Sequence, residues 1–121
     1  MIEILQESTD ACIGLKVTGK LSIADYTELL PILDMSIAAM ETINLVIVAD
    51  DFQGWEDLDA VMADFRMAKD QYRKVERAAF VSDKKWHKYV VKLMAPFTRA
   101  TEEKYFEPSQ IEEAWEWARG A

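Results

Sequence analysis

The sequence predicts an α/β fold: a mostly parallel sheet of about five strands, opened by an antiparallel hairpin, with about four helices. Three observations predict it. Short β-branched apolar runs alternate with segments whose apolar residues recur every three or four positions, the pattern of strands joined by crossover helices. Residues 43–49 are apolar almost throughout, as in a strand covered on both faces of a parallel sheet. The first two apolar runs are separated by Ser8, Thr9 and Asp10, turn formers that close a hairpin. A chain of 121 residues suits one hydrophobic core, so residues 1–121 are expected to form a single domain.

Residues 2–7 and 12–19 are the hairpin strands. In the second, Ile13, Leu15 and Val17 alternate with Cys12, Lys16 and Thr18, so one face is expected to be at least partly wet. Ser22, with Asp25 three residues on, caps a helix whose apolar positions are Tyr26, Leu29, Leu30, Leu33, Ile37 and Met40. Pro31 predicts a kink or break near Leu30. The apolar run 43–49 stops at Asp50 and Asp51 and is read as turning through Gly54 into a second helix. That helix is expected to bury Trp55, Leu58, Val61, Met62 and Phe65, with Tyr72 as a further candidate. Glu56, Asp57 and Asp59 in its first turn and Lys69, Arg73 and Lys74 in its last complement the helix dipole.

Residues 78–82 are the next strand, and Asp83 can cap a third helix over 84–94. There Trp86, Tyr89, Val90, Leu93 and Met94 fall on one side and Lys84, Lys85, Lys88 and Lys92 on the other. Pro96 ends it. Residues 103–107 form the last strand, and Pro108 opens a terminal helix with Ile111, Ala114, Trp115 and Ala118 inward and Gly120 as C-cap. Trp117 falls on a different side, either exposed or in a subunit contact.

Half the residues are apolar and 30% are charged, the balance of a compact globular chain. No apolar run approaches the ~20 residues of a membrane span, and no signal-type segment precedes Ile2, so the expected location is the cytoplasm or the inner face of its membrane. Cys12 is the only cysteine, which excludes an intramolecular disulfide and a cysteine metal cluster. The net charge of −8 argues against general nucleic-acid binding. It is unevenly spread: residues 66–99 hold ten basic side chains against three acidic, and the rest of the chain four basic against nineteen acidic.

No phosphate-binding glycine loop, zinc-protease motif or nucleophile elbow occurs. His87, between lysines, reads as a solvated histidine, and the acids Asp50, Asp51, Glu56, Asp57 and Asp59 as a strand end and a dipole-compensating first turn. No catalytic residue, metal or cofactor is therefore expected. Lys84, Lys85, Lys88 and Lys92 would suit reversible docking on an anionic membrane surface. Phe52, Trp55, Met62, Phe65, Trp86, Met94 and Phe97 are bulky, adaptable side chains that could line an apolar cavity between the second and third long helices.

The order of elements, together with residues 14–21 (GLKVTGKL), Asp25, Tyr26, residues 50–55 (DDFQGW), 83–86 (DKKW), 95–98 (APFT), Tyr105, Phe106 and 113–117 (EAWEW), resembles the SpoIIAA-like family of the STAS superfamily. The resemblance implies a STAS fold, with binding of a hydrophobic or lipid-like ligand and membrane association as roles. The founding antagonists of that superfamily carry a phosphorylatable serine after the third strand. Residues 50–54 hold no hydroxyl here, so that switch is not expected. The functional expectation is a non-catalytic binding module for a hydrophobic small molecule or lipid. The alternative is a phosphorylation-independent protein interaction module in a bacterial regulatory pathway, contacting its partner through Asp50, Asp51 and Gln53. Homodimer formation is left open.

Overall fold

The structure, a computed structural model, describes residues 1–83 and 101–120. Five strands form one sheet in chain order: β1 (Ile2–Ile4), β2 (Cys12–Leu21), β3 (Ile43–Trp55), β4 (Val75–Val81) and β5 (Glu102–Phe106). β1 runs antiparallel to β2, and all the later pairs are parallel. Three helices are described: α1 (Ile23–Met40), α2 (Leu58–Asp70) and α3 (Ile111–Ala118). Right-handed crossovers between strands laid down in one direction bring α1 and α2 to the same face of the sheet. Leu15, Leu45 and Phe80 pack there with Leu29, Leu33 and Tyr72. On the other face Cys12, Val46, Val81 and Phe106 pack against Ala114, Trp115 and Ala118 of α3.

α1 starts where the sequence says it should. The Ser22 hydroxyl accepts from the Asp25 N–H at 3.4 Å, and the Asp25 carboxylate accepts from the Ser22 N–H at 2.8 Å, a reciprocal capping box. Of the kink or break expected near Pro31, no break occurs: the helix is continuous through it. Pro31 faces outward while Leu29 and Leu33 are buried on either side, so packing of the inner face holds the helix together across the missing hydrogen bond.

Two expectations are corrected. Residues 50–55 are not a turn into the second helix but the second half of β3. β3 carries two more residues than β2 between the pairs Val17↔Ala49 and Lys20↔Gly54. Asp51 (φ 53°) and Gly54 (φ 96°) adopt the left-handed conformations that such bulges use. In a regular strand Phe52 and Trp55, three residues apart, would point to opposite faces. The bulges return both to the face of Ile47 and Ala49.

The second correction concerns the phase of α2. Asp57 caps it by accepting from the Ala60 N–H at 2.9 Å, and its buried residues are Ala60, Ala63 and Ala68. Leu58 and Met62, expected inward, are 74% and 49% exposed. Three alanines allow a close approach to the rest of the fold that larger side chains would prevent. Tyr72 is buried, as anticipated, but in a 3-10 turn (Tyr72–Lys74) that leads into β4.

The C-terminal part follows the sequence closely, with Pro108 opening a 3-10 turn ahead of α3 and Ala114, Trp115 and Ala118 buried. Trp117 is neither free nor outward: its ring lies 6.1 Å from that of Phe106 and beneath the Arg77 guanidinium at 5.3 Å. The helix expected over 84–94 lies outside the described residues.

Candidate functional site

Between the sheet and helices α1 and α2 the side chains leave a cavity of about 120 Å³. Its walls are mostly apolar, from Leu15 and Val17 of β2, Leu45 and Ile47 of β3, Leu29 and Leu33 of α1, and Met67 of α2. Phe52 and Trp55 close the end towards the strand C-termini, their rings edge to face at 5.4 Å. Site formation at this end of the strands is the general habit of parallel α/β sheets.

One polar chain is built into that end. The Trp55 indole N–H donates to the Tyr26 hydroxyl at 2.8 Å, and the Tyr26 hydroxyl donates to Oδ1 of Asp64 at 2.8 Å. All three residues line the cavity. The direction of the chain is fixed chemically, because an indole nitrogen can only donate. Tyr26 must therefore accept from Trp55 and spend its own proton on Asp64, which is the terminal acceptor. Burial raises the Asp64 carboxyl above the usual carboxylate range, partly offset by the Tyr26 hydrogen bond. Burial and, after it, the Asp64 charge push the Tyr26 hydroxyl far above the ordinary phenol value, so it stays protonated.

A similar pair stands where Tyr72 meets β5. The Tyr72 hydroxyl donates to Oε2 of Glu103 at 2.9 Å. Burial raises Glu103, with the Tyr72 bond opposing it. Tyr105 is pushed up to about 12 by burial and then by the Glu103 charge. Thr101, buried beside this pair, donates to the Val75 carbonyl at 2.8 Å. These groups join β5 to the 3-10 turn before β4.

The sequence-derived residues fall unevenly. Phe52 and Trp55 line the cavity. Met62 is on the outer side of α2, and Phe65 of the same helix is not part of the cavity wall. Trp86, Met94 and Phe97, the lysines Lys84, Lys85, Lys88 and Lys92, and His87 lie outside the described residues. Asp50, Asp51 and Gln53 are exposed along the bulged part of β3, with Asp50 3.5 Å from the Lys16 ammonium. Among the described residues no three His, Cys, Asp or Glu side chains are grouped to hold a metal ion. Cys12 is buried, and that burial raises its thiol above the ordinary value despite the opposing Arg119 charge.

Sequence reasoning missed Asp64 and saw Tyr26 only as a core residue. The available signal was an acid set among Val61, Met62 and Phe65, which becomes informative only once the phase of α2 is known.

A family model described as SpoIIAA-like matches residues 12–119 of the chain. Among solved structures the chain is similar to a protein with a SpoIIAA-like fold from Shewanella loihica PV-4. The two share 23% identity and a TM-score of 0.76, over 98% of this chain and 92% of that one. At that identity the likeness is one of fold. No curated protein matches the chain.

Proposed function

The chain belongs to the SpoIIAA-like family, and on that premise we propose that it is a non-catalytic binding module whose ligand is a small, largely apolar molecule held between the sheet and helices α1 and α2. The observation that carries this reading is the unfilled cavity. At ~24 cal/mol per Å³, an empty space of 120 Å³ represents about 3 kcal/mol of packing that an occupant could restore. An apolar cavity of about 150 Å³ admits benzene, so the space here suits one ring or a short chain rather than a two-chain lipid.

The test is native mass spectrometry of freshly purified protein, followed by NMR titration with toluene. Expected are saturable binding, a shift of the Trp55 indole N–H, and loss of both in Ala49→Leu, which adds side-chain volume at the cavity wall. Absence of toluene binding together with a ligand-free mass spectrum would overturn the reading.

Membrane docking is the second part of the proposal and rests on the sequence alone, on Lys84, Lys85, Lys88 and Lys92. At ~1 kcal/mol for each lysine near an anionic leaflet, attachment would be weak, reversible and salt-sensitive. Co-sedimentation with anionic vesicles should fall in salt and in the Lys84/Lys85/Lys88/Lys92→Glu variant. Equal binding to neutral vesicles would remove this part.

One observation favours the alternative of a protein contact: the bulged half of β3 leaves Asp50, Asp51 and Gln53 exposed together. A partner captured by the native protein and lost with Asp51→Lys, with toluene binding unchanged, would support it.

A further inference from the structure

The cavity is lined mainly by apolar side chains, with Gln71, Tyr72 and Ser82 as uncharged polar members, and at the end where Asp64 stands the charge of the described lining residues is one-sided. Among the described residues that line it there is no lysine, arginine or histidine, and Asp64 is the one carboxylate. Among the described residues its hydrogen-bond partner is a neutral phenol, whose single proton is already committed by the chain from Trp55. One hydroxyl leaves most of the acceptor capacity of a carboxylate unused. A charge withdrawn from water and met only by a neutral donor is under-compensated. An N–H⁺ group brought next to it would form a charge-assisted bond, roughly twice as strong as a neutral one. An anionic head group would meet the Asp64 charge with no cation among the described lining residues to offset it.

We infer that the cavity selects an apolar amine: a ring or short chain filling the space beneath Phe52 and Trp55, with a protonated nitrogen donating to the Asp64 carboxylate. This rests on the reading of the cavity as a ligand site and adds to it the charge of the ligand. It sets fatty acids and other anionic amphiphiles apart from the preferred class, although they match the cavity in apolarity.

Three probes of equal ring size separate the two ideas: toluene, benzylamine and phenylacetate, each titrated at neutral pH against the full chain and against Asp64→Asn, with shifts of the Trp55 indole N–H as the readout. Asparagine keeps an oxygen to accept from Tyr26 and removes only the charge. Benzylamine should bind at least about tenfold more tightly than phenylacetate, with the gap falling below about threefold in Asp64→Asn. Toluene binding with no preference between the charged probes, or a preference that survives in Asp64→Asn, overturns the amine inference and leaves the cavity reading standing. If none of the three binds, the amine inference falls, and with a ligand-free mass spectrum the cavity reading falls with it.

Discussion

Gly14 of β2 lies directly beneath the Trp115 indole of α3: a Cβ on Gly14 would come 2.5 Å from Cζ2 and 2.6 Å from Cη2 of that ring. The methyl of Leu5 closes the same position at 2.9 Å. The contact sets how closely α3 approaches the sheet on the face opposite the cavity. Gly14→Ala should therefore destabilise the fold by about 1–3 kcal/mol through overpacking, read as a lower urea midpoint with unchanged slope. Combined with Trp115→Leu the loss should be less than additive, because the smaller side chain removes the clash.

Pro31 is the opposite case, a local cost the fold already carries. It sits in the interior of α1 and faces solvent, where proline removes the hydrogen bond to the Thr27 carbonyl and crowds it. Pro31→Ala should raise stability by about 1–2 kcal/mol, the helix-propensity gain being reduced by the greater freedom of the unfolded chain. Thermal and urea unfolding should both report it. An unchanged midpoint would mean that the freedom gained by the unfolded chain cancels the helix-propensity gain.

The alternation of strands and helices was legible because it rests on periodicity, and so were the capping box at Ser22 and the stripe Ala114, Trp115, Ala118. The bulges at Asp51 and Gly54 were not. A left-handed aspartate has no composition signal, and the change of side-chain direction it produces depends on the register with β2. The face of α2 was misread because Leu58 and Met62 outweigh alanines on any hydrophobic scale. Contact with the rest of the fold instead selected the small residues Ala60, Ala63 and Ala68. Phe52 and Trp55 were singled out as bulky groups beside a strand end. Their hydrogen-bonded neighbours, Tyr26 and Asp64, are 38 residues apart in the chain and meet only through tertiary packing.

Tyr26 accepts from Trp55 and donates to Asp64, so Tyr26→Phe strips a partner from both. The loss should be about 1–3 kcal/mol, more than for a hydroxyl with one partner, since two part-buried polar groups are left unmatched. The Asp64 carboxyl should titrate at still higher pH in this variant, because the Tyr26 bond is what opposes its rise. Carboxyl NMR across a pH series measures this directly. A carboxyl that titrates lower would contradict the assigned direction of the hydrogen-bond chain.

Asp64→Asn should stabilise the protein near neutral pH, and the size of the gain should depend on pH. Because burial raises the Asp64 carboxyl in the folded state, between its unfolded value of about 3.9 and its raised folded value the native protein holds more protons than the unfolded chain. Stability therefore falls as pH rises through that window, and above it the native state carries the full penalty of a buried charge. Asparagine removes the titration but keeps an oxygen for the Tyr26 hydroxyl. The difference between variant and parent should be largest at neutral pH and shrink as pH drops through about 4, well below which the parent carboxyl is protonated in both states. Glu103 is raised by the same mechanism and is present in both proteins, so its contribution cancels in the difference. Urea unfolding at several pH values gives the result. A gain that is constant with pH would show that Asp64 acts through packing rather than through its charge, and would remove the electrostatic asymmetry on which selection of an amine depends.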